Sequence, residues 1–135
     1  MGTMTSRPAP VTAWHRIAEA RDPAGLEALL ADDVVFRSPA VHSPQEGKAI
    51  TTAYLSAAMV VLGPELTYLD EWYGDRSAVL EFQTEVAGRT VHGVDMLRWG
   101  HDGRLTSFTV MARPLRGLEA LIEAMAAELL GPPPG

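Results

Sequence analysis

Four β-rich segments follow one another in the second half of the chain: ELTYLDEWY, SAVLEFQTEVAG, RTVHGVDMLRW and LTSFTVMAR. Only short turn-like stretches, GDR, AGR and GHDGR, separate them. Short connections join antiparallel strands, because parallel strands need a long crossover. This run therefore limits the fold more than any other pattern in the sequence, and it predicts a mostly antiparallel sheet.

Helical patterns lie on both sides of this run. Residues 11–30 predict two short helices, and the inner stripe of the second is Leu26, Leu29 and Leu30. VVFRSP predicts a first strand that ends at Pro39, and residues 44–62 return to helical spacing. The inner face of that helix is predicted to contain Ile50, Tyr54, Ala57, Ala58 and Val61. A last amphipathic helix has an apolar stripe formed by Leu118, Leu121, Ile122, Met125 and Leu129.

Helices packed on one sheet predict a single α+β domain over residues 11–130. Residues 1–10 and the Pro/Gly-rich residues 131–135 are predicted to be flexible ends. The length of 135 residues suits one domain with one core.

Composition argues against several partners. The net charge is −6 and there is no basic run, so neither nucleic acid nor an anionic membrane surface is an expected partner. No apolar stretch is long enough to span a bilayer, and the first ten residues lack the apolar region of a signal peptide. A cytoplasmic location is therefore expected. The lack of cysteine excludes disulfides, thiolate zinc sites and cysteine nucleophiles.

Asp95 is an unusual residue for its predicted position. In a strand it would share a face with alternate residues Val91, Gly93, Leu97 and Trp99. A carboxyl group among apolar neighbours must be hydrogen-bonded or neutral, or it serves a function. Two interpretations stay open. Asp95 is a pocket acid that donates to a ligand or moves a proton, or it is a core aspartate satisfied by a backbone amide or a tryptophan N–H.

Three phrases in the sequence resemble a known family: RDPAGLEALLADDVVFRSP, EGKAI and GRTVHGVDMLRWGHDGRLTSFTV. Together they span nearly the whole chain and resemble the nuclear-transport-factor-2-like (NTF2-like) superfamily, which includes the SnoaL-like proteins and the steroid Δ5-isomerases. The resemblance implies a cone-shaped α+β barrel, in which a strongly curved sheet wraps around a long helix and leaves a pocket. It indicates the fold more than an activity, because this fold is shared by isomerases, cyclases, hydrolases, dehydratases and binding proteins.

The steroid isomerases give the most useful comparison of residues. In that family a helix tyrosine and a protonated strand aspartic acid form an oxyanion hole, and a second aspartate moves the proton. Asp95 falls at the position of the strand acid, Trp14 at that of the tyrosine, and Ser38 at that of the shuttling aspartate. An indole N–H can donate a hydrogen bond, but a serine hydroxyl alone is not a general base. The resemblance thus argues against steroid-type isomerisation by the usual mechanism.

Among the four histidines, His42 is the candidate to replace the missing base. It lies in the proline-bounded loop SPAVHSP, and an imidazole titrates near neutrality; a solvent-exposed loop histidine is the alternative. His92 is three residues from Asp95, so the two side chains are predicted to point to opposite faces of a strand. His15 and His101 are expected on the surface. The histidines show no metal-ligand spacing, so no metal and no cofactor are predicted.

An apolar cavity is the expected ligand site. The residues predicted to line it are Trp14, Phe36, Ser38, Tyr54, Trp72, Leu97, Trp99 and Phe108, and core filling is the alternative for the same residues. Glu81, Gln83 and Glu85 alternate with apolar residues and are predicted to face solvent or a partner subunit, although a slip of one residue would turn them inward.

A homodimer is predicted through the outer face of the sheet. His92, Val94 and Met96 form a second, partly apolar face on a strand whose other face is already committed inward. Many members of the superfamily that the chain resembles also pair their sheets.

Two functions stay open at this point. One is a cofactor-independent isomerase, cyclase, dehydratase or epoxide hydrolase that acts on a largely apolar, oxygenated molecule, with Asp95 as acid and His42 or a water completing the proton transfer. The other is a non-catalytic ligand-binding or assembly module of the same fold. The retained Asp95 favours the first function, and Ser38 at the position of the shuttling aspartate favours the second.

Overall fold

The computed structural model describes residues 6–130 and shows helices packed against one six-stranded sheet. The helices are α1 (Ala9–Ala20), α2 (Leu26–Leu29), α3 (Lys48–Leu62) and α4 (Leu115–Leu130), with a 3₁₀ turn at Pro23–Gly25. The strands are β1 (Leu30–Arg37), β2 (Gln45–Glu46), β3 (Thr67–Tyr73), β4 (Ser77–Val86), β5 (Arg89–Trp99) and β6 (Leu105–Arg113). Of the ends predicted to be flexible, residues 1–5 and 131–135 lie outside the described part, whereas Ala9 and Pro10 belong to α1.

The predicted α+β fold with a mostly antiparallel sheet is confirmed. The strand order is β2-β1-β6-β5-β4-β3; β3 to β6 are antiparallel neighbours, and β1 runs parallel to β6. Irregular pairings at Tyr68/Asp70 in β3 and Arg98/Trp99 in β5 bend the strands, because an extra residue locally increases twist. The curved sheet is not closed into a barrel: in the described part of the chain, the edge strands β2 and β3 do not pair with each other.

Two element boundaries differ from the sequence prediction. Leu30, predicted in a helical stripe, begins β1 because its backbone pairs with Leu105 of β6 and its side chain is fully buried in the core. The α2 helix is therefore a single turn. The α3 helix begins at Lys48 rather than at residue 44, since Gln45 and Glu46 pair with β1.

The inward face of α3 agrees in part with the prediction, because Ala57 is buried and Tyr54 and Val61 pack against the core clusters. Its buried residues are Thr51, Leu55, Ala57 and Met59, whereas Ile50 is exposed. The helix is apolar on most sides, so its spacing alone did not determine which side faces the sheet. Tyr54 is half-buried and packs against the core cluster that contains Phe36.

The faces of β4 and β5 follow the predicted alternation. Val91, Gly93, Asp95, Leu97 and Trp99 are all buried on one face of β5. His92, Val94 and Met96 lie on the other face, which confirms that His92 and Asp95 point in opposite directions. In β4 the residues Leu80, Phe82, Thr84 and Val86 point inward, so Glu81, Gln83 and Glu85 face outward as predicted.

Gly93 allows the Phe82 ring to approach the backbone of β5 closely. A Cβ atom at this position would stand 2.7 Å from Cζ of Phe82 and would clash with the carbonyl oxygen of Met111. The missing side chain therefore leaves room for Phe82 on the inner face of the sheet.

Candidate functional site

A cavity of about 190 Å³ lies between the inner face of the sheet and helices α1, α3 and α4. The sheet contributes mainly aromatic side chains, and α4 contributes an aliphatic wall that includes Leu121, Ile122, Met125 and Leu129. Part of the loop after β1, residues 38–41, completes the lining. A mostly apolar cavity with a few convergent polar groups is typical of a small-molecule site.

Asp95 is the carboxyl group on this lining, and it is nearly sealed from solvent, with 4% of its surface exposed. The Tyr68 hydroxyl donates to Oδ2 of Asp95 at 2.6 Å. The Trp14 indole N–H in turn donates to the Tyr68 oxygen at 2.9 Å. Helix α1 and strands β3 and β5 thus contribute one residue each to a chain of hydrogen bonds that ends at the acid.

Burial raises the pKa of Asp95 to about 7, while the hydrogen bond from Tyr68 acts in the opposite direction by favouring the charged form. A neutral carboxyl group can donate a hydrogen bond, whereas a carboxylate can only accept one. Burial is also the largest cause that raises the pKa of Tyr68, followed by the charge of Asp95, so the phenol keeps its proton at neutral pH. The site can therefore offer an acid proton at physiological pH.

Most of the predicted pocket residues line this cavity. Trp14, Phe36, Ser38, Tyr54 and Phe108 all belong to its lining, together with Asp95. The Tyr54 ring packs against Phe36 with centroids 5.2 Å apart. The Ser38 hydroxyl accepts a hydrogen bond from the backbone N–H of Ala40 at 2.9 Å, so it shapes the loop at the edge of the cavity.

Leu97 and Trp99, also predicted to line the cavity, do not do so. Both point inward from β5, but they pack into the hydrophobic core next to residues such as Val11 and Leu105. Alternation predicts correctly that these side chains point inward. It cannot tell a packed interior from an empty one, and here the interior is packed.

Trp72 lies on the outer face of the sheet instead of in the cavity, with 54% of its surface exposed. The cause is the irregular pairing in β3: Tyr68 is opposite Phe82, but Asp70 is opposite Glu81, so one residue is inserted between them. This insertion reverses the alternation after Tyr68. Tyr68 and Trp72 would share a face in a regular strand, and they point to opposite faces here.

His42 does not reach Asp95. It is exposed in the loop between β1 and β2 and lines a surface groove with Thr109 and Met111 rather than the cavity. The solvent-exposed alternative therefore describes its position. The structure supplies no contact between His42 and the acid that it was expected to assist.

Tyr68 is the residue of the site that the sequence analysis did not identify. The signal was present, because ELTYLDEWY places a tyrosine at an alternate position near the start of a predicted strand. Its hydroxyl was then a candidate partner for a buried acid. In a regular strand Tyr68 and Trp72 share a face, so the alternation that placed Trp72 in the cavity would have placed Tyr68 there as well.

His15, predicted on the surface, is buried beside Tyr68. Its Nε2 contacts Glu71 Oε2, and its ring lies edge-on to the Tyr68 ring with centroids 4.7 Å apart. The Tyr73 hydroxyl also donates to Glu71, at 2.6 Å. Within this polar cluster, His15 is the residue whose ring packs against Tyr68. His101, by contrast, is in an exposed turn as expected.

In residues 6–130, no group of three or more histidine or acidic side chains is arranged to hold a metal ion. No helix in the same part of the chain is long and apolar enough to cross a membrane.

Comparisons with known proteins agree with the fold and extend the resemblance. The sequence-family model of the SnoaL-like domain matches residues 11–108. A steroid Δ-isomerase from Pseudomonas aeruginosa is 39% identical, with a TM-score of 0.87 and 90% of each chain covered. A protein with a cystatin-like fold from Silicibacter pomeroyi DSS-3 is 27% identical, with a TM-score of 0.84 over 90% of this chain and 86% of that one.

A more distant structure shows the fold alone. It is a protein with a ketosteroid isomerase-like fold from Catenulispora acidiphila DSM 44928, in complex with trimethylamine, and it is 16% identical with a TM-score of 0.64. The match covers 95% of this chain and the full length of that protein. No curated protein matches the sequence. With the domain model spanning most of the chain and a 39% identical structure covering 90% of it, the chain belongs to the SnoaL-like family of the NTF2-like superfamily.

Proposed function

We propose that the protein binds a largely apolar, oxygenated small molecule in the cavity, and that neutral Asp95 donates a hydrogen bond or a proton to an oxygen of this molecule. The observation that carries the proposal is one buried carboxyl group on an otherwise apolar wall, with a pKa of about 7. An aspartate with only a structural role would not need a cavity next to it. A cavity that binds a pure hydrocarbon would not need a carboxyl group on its wall.

The two oxygens of Asp95 have different surroundings. Oδ2 accepts from Tyr68, and no described side chain donates to Oδ1. In this proposal the acid proton is on Oδ1, where a ligand carbonyl, hydroxyl or epoxide oxygen would receive it. Proton donation makes a carbonyl carbon or an epoxide carbon more electrophilic and a hydroxyl a better leaving group. Isomerisation, aldol-type cyclisation, dehydration and epoxide opening are the reaction classes that this acid would serve.

A water molecule or the Asp95 carboxylate itself would complete the proton transfer in this proposal. Among the described lining residues, Asp95 is the only carboxylic acid and there is no histidine. The 39% identity to a structure named a steroid Δ-isomerase supports the isomerase class. Ser38 in place of a second acid argues against the mechanism with two aspartates.

A second candidate is a non-catalytic binding protein. Its support is the hydroxyl of Ser38, which is engaged with the backbone of Ala40 and cannot act as a base. The ligand and its contacts would be the same, but Asp95 would only hold the ligand oxygen.

Two variants of Asp95 separate the candidates. Asp95→Asn keeps the shape and a donor, whereas Asp95→Leu removes the polar group. Bound compound is measured by native mass spectrometry of the purified protein, and turnover of that compound is then assayed. An enzyme loses turnover in Asp95→Asn while it keeps binding; a binding protein shows no turnover in any variant and loses ligand in Asp95→Leu. Unchanged binding and activity in both variants would refute a role for Asp95.

We also propose that the protein is a homodimer through the outer face of the sheet. The register brings Trp72, Val79 and Met96 into one row across β3, β4 and β5, next to Val94 and Met111 in the adjacent row. Trp72 and Met111 are 54% and 55% exposed. Asp70 and Glu81 belong to that adjacent row, so the patch is partly apolar, and a second copy would cover its apolar part.

A further inference from the structure

The size of the cavity limits the ligand. A cavity of about 150 Å³ lined by aliphatic and aromatic side chains holds one benzene molecule, and pockets for drug-sized ligands are about 300–1,000 Å³. At about 190 Å³, the cavity next to Asp95 is close to the first value and below the second range. It is large enough for one carbon ring with a few substituent atoms.

The aromatic end of the cavity, formed by residues of α1, α3 and the sheet, cannot widen easily, because its rings contact one another. Trp14 and Phe108 are packed edge to face with centroids 4.9 Å apart, and Phe36 lies 5.2 Å from Tyr54. Two hydrogen bonds, from Trp14 to Tyr68 and from Tyr68 to Asp95, also hold these side chains in place. Rotation of one of these side chains would break contacts of several others, so this end of the cavity has a defined size.

The opening lies on the opposite side, between α4 and the loop after β1. Val41 and Leu129 both line the cavity and are 48% and 39% exposed, so they mark its rim. The wall behind this rim is aliphatic, with Ile122 and Met125 half-buried on α4. A flexible substituent could leave through this opening, whereas a rigid fused ring system would have to displace the wall.

We infer that the ligand is an oxygenated compound of one carbon ring, or an acyclic compound of similar size such as a small terpenoid, and that the four fused rings of a steroid do not fit. This inference rests on the proposed function, since it assumes that the ligand oxygen reaches Asp95. A steroid skeleton has about three times as many carbon atoms as the benzene that fills a cavity only slightly smaller. The specificity of this chain thus differs from the activity in the name of its 39% identical neighbour.

The experiment measures binding of three enones that share a carbonyl and differ in size: a methyl-substituted cyclohexenone, a two-ring enone and a four-ring 3-ketosteroid. Affinity is measured by isothermal titration calorimetry, and the NMR signal of the Trp14 indole N–H reports occupancy of the cavity. We expect the one-ring compound to bind and to shift this signal, and the steroid to bind at least tenfold more weakly, without shifting it.

A variant of the aliphatic wall tests the same inference in the other direction. Met125→Ala enlarges the cavity on the α4 side, so affinity for the two-ring enone should rise about tenfold, as expected for the space of one or two methylene groups. Glu123→Ala, at an exposed position on the same helix, is the matched control and should leave all three affinities unchanged.

The outcomes separate the inference from the proposed function. Steroid binding that is as tight as, or tighter than, that of the one-ring compound overturns the size limit and leaves the role of Asp95 standing. An unchanged affinity of Met125→Ala for the two-ring enone overturns the assignment of the α4 wall as the limiting one. If none of the three carbonyl compounds binds, the proposed ligand class itself is wrong.

Discussion

Tyr68 donates to Oδ2 of Asp95 at 2.6 Å, and it is the only described side chain that donates to this carboxyl group. A carboxylate that accepts two or three hydrogen bonds from backbone N–H groups can have a pKa below 2. One phenol is too weak a donor to offset full burial, so the pKa of Asp95 stays raised, at about 7. The site therefore holds the acid in place without forcing it to ionise.

Tyr68→Phe should raise the pKa of Asp95 further, because it removes the one hydrogen bond that lowers it. The Trp14 N–H also loses its acceptor, and an unpaired buried donor costs about 1–3 kcal/mol of unfolding free energy. Carboxyl ¹³C NMR titration measures the first effect, and urea unfolding measures the second.

The matched control for this variant is Tyr54→Phe. Tyr54 also lines the cavity, but its hydroxyl makes no hydrogen bond to a described residue. This variant should leave the pKa of Asp95 unchanged. A fall in the pKa of Asp95 in Tyr68→Phe would contradict the assigned role of Tyr68.

Asp95 should make the stability of the protein depend on pH between about 4 and 7. Its pKa is about 7 in the folded chain and close to 3.9 in an unfolded one, so the folded state binds more protons in this window. The contribution of Asp95 to the free energy of unfolding is fully present below pH 4. It decreases as the pH rises and is lost once the pH passes the folded pKa. The rise of about 3 pH units corresponds to at most about 4 kcal/mol.

This pH dependence should disappear in Asp95→Asn. Urea unfolding at several pH values between 4.5 and 7.5 gives the free energy of unfolding for both proteins. The wild type should lose stability relative to Asp95→Asn as the pH rises. The control Asp33→Asn changes an exposed residue of β1, so its free energy of unfolding should show the same pH dependence as that of the wild type. Parallel curves for wild type and Asp95→Asn would show that Asp95 is ionised in the folded chain.

The position of Asp95 could be predicted from the sequence because a strand has a period of two. Five alternate residues of β5 are buried, and the pattern identifies them without any tertiary contact. The order of helices and strands was readable for the same reason, since turns and prolines separate the elements.

The hydrogen-bond partner of Asp95 could not be predicted in the same way. One inserted residue in β3 decides that Tyr68 points inward and Trp72 outward, and no local pattern reveals this insertion. Burial of His15 depends on Glu71, which is far away in sequence. Leu30 is helical by spacing, but its pairing with β6 outweighs the local preference. Each of these features depends on contacts between distant parts of the chain.

Gly93→Ala should destabilise the protein by about 1–3 kcal/mol, as is typical for overpacking a core. The new methyl group would stand 2.7 Å from Cζ of Phe82 and clash with the backbone oxygen of Met111, which cannot rotate away. Thermal unfolding measures the effect. In the control Gly100→Ala, the closest atom is 3.5 Å away, so its melting temperature should change little. Equal stabilities of the two variants would mean that the sheet adapts to the extra atom.

The proposed dimer predicts that a charge on the outer sheet face separates the subunits. Met111 is 55% exposed, so Met111→Lys introduces an ammonium group without burying it in the monomer. In a dimer, the same group would lie within an apolar interface, where desolvating a charge is costly. Light scattering should give twice 14.6 kDa for the wild type and 14.6 kDa for Met111→Lys.

The control is Glu123→Lys, which also introduces a lysine but at an exposed position on α4 instead of on the outer sheet face, and this variant should remain dimeric. A stable interface buries about 1,200–2,000 Å² in total, so the proposed dimer needs about half of that area from the outer face of each copy. Circular dichroism of Met111→Lys should match that of the wild type, since only the contact between subunits is lost. A wild-type particle of 14.6 kDa at working concentration would refute the dimer, because the apolar row from Trp72 to Met96 would then face water in the native state.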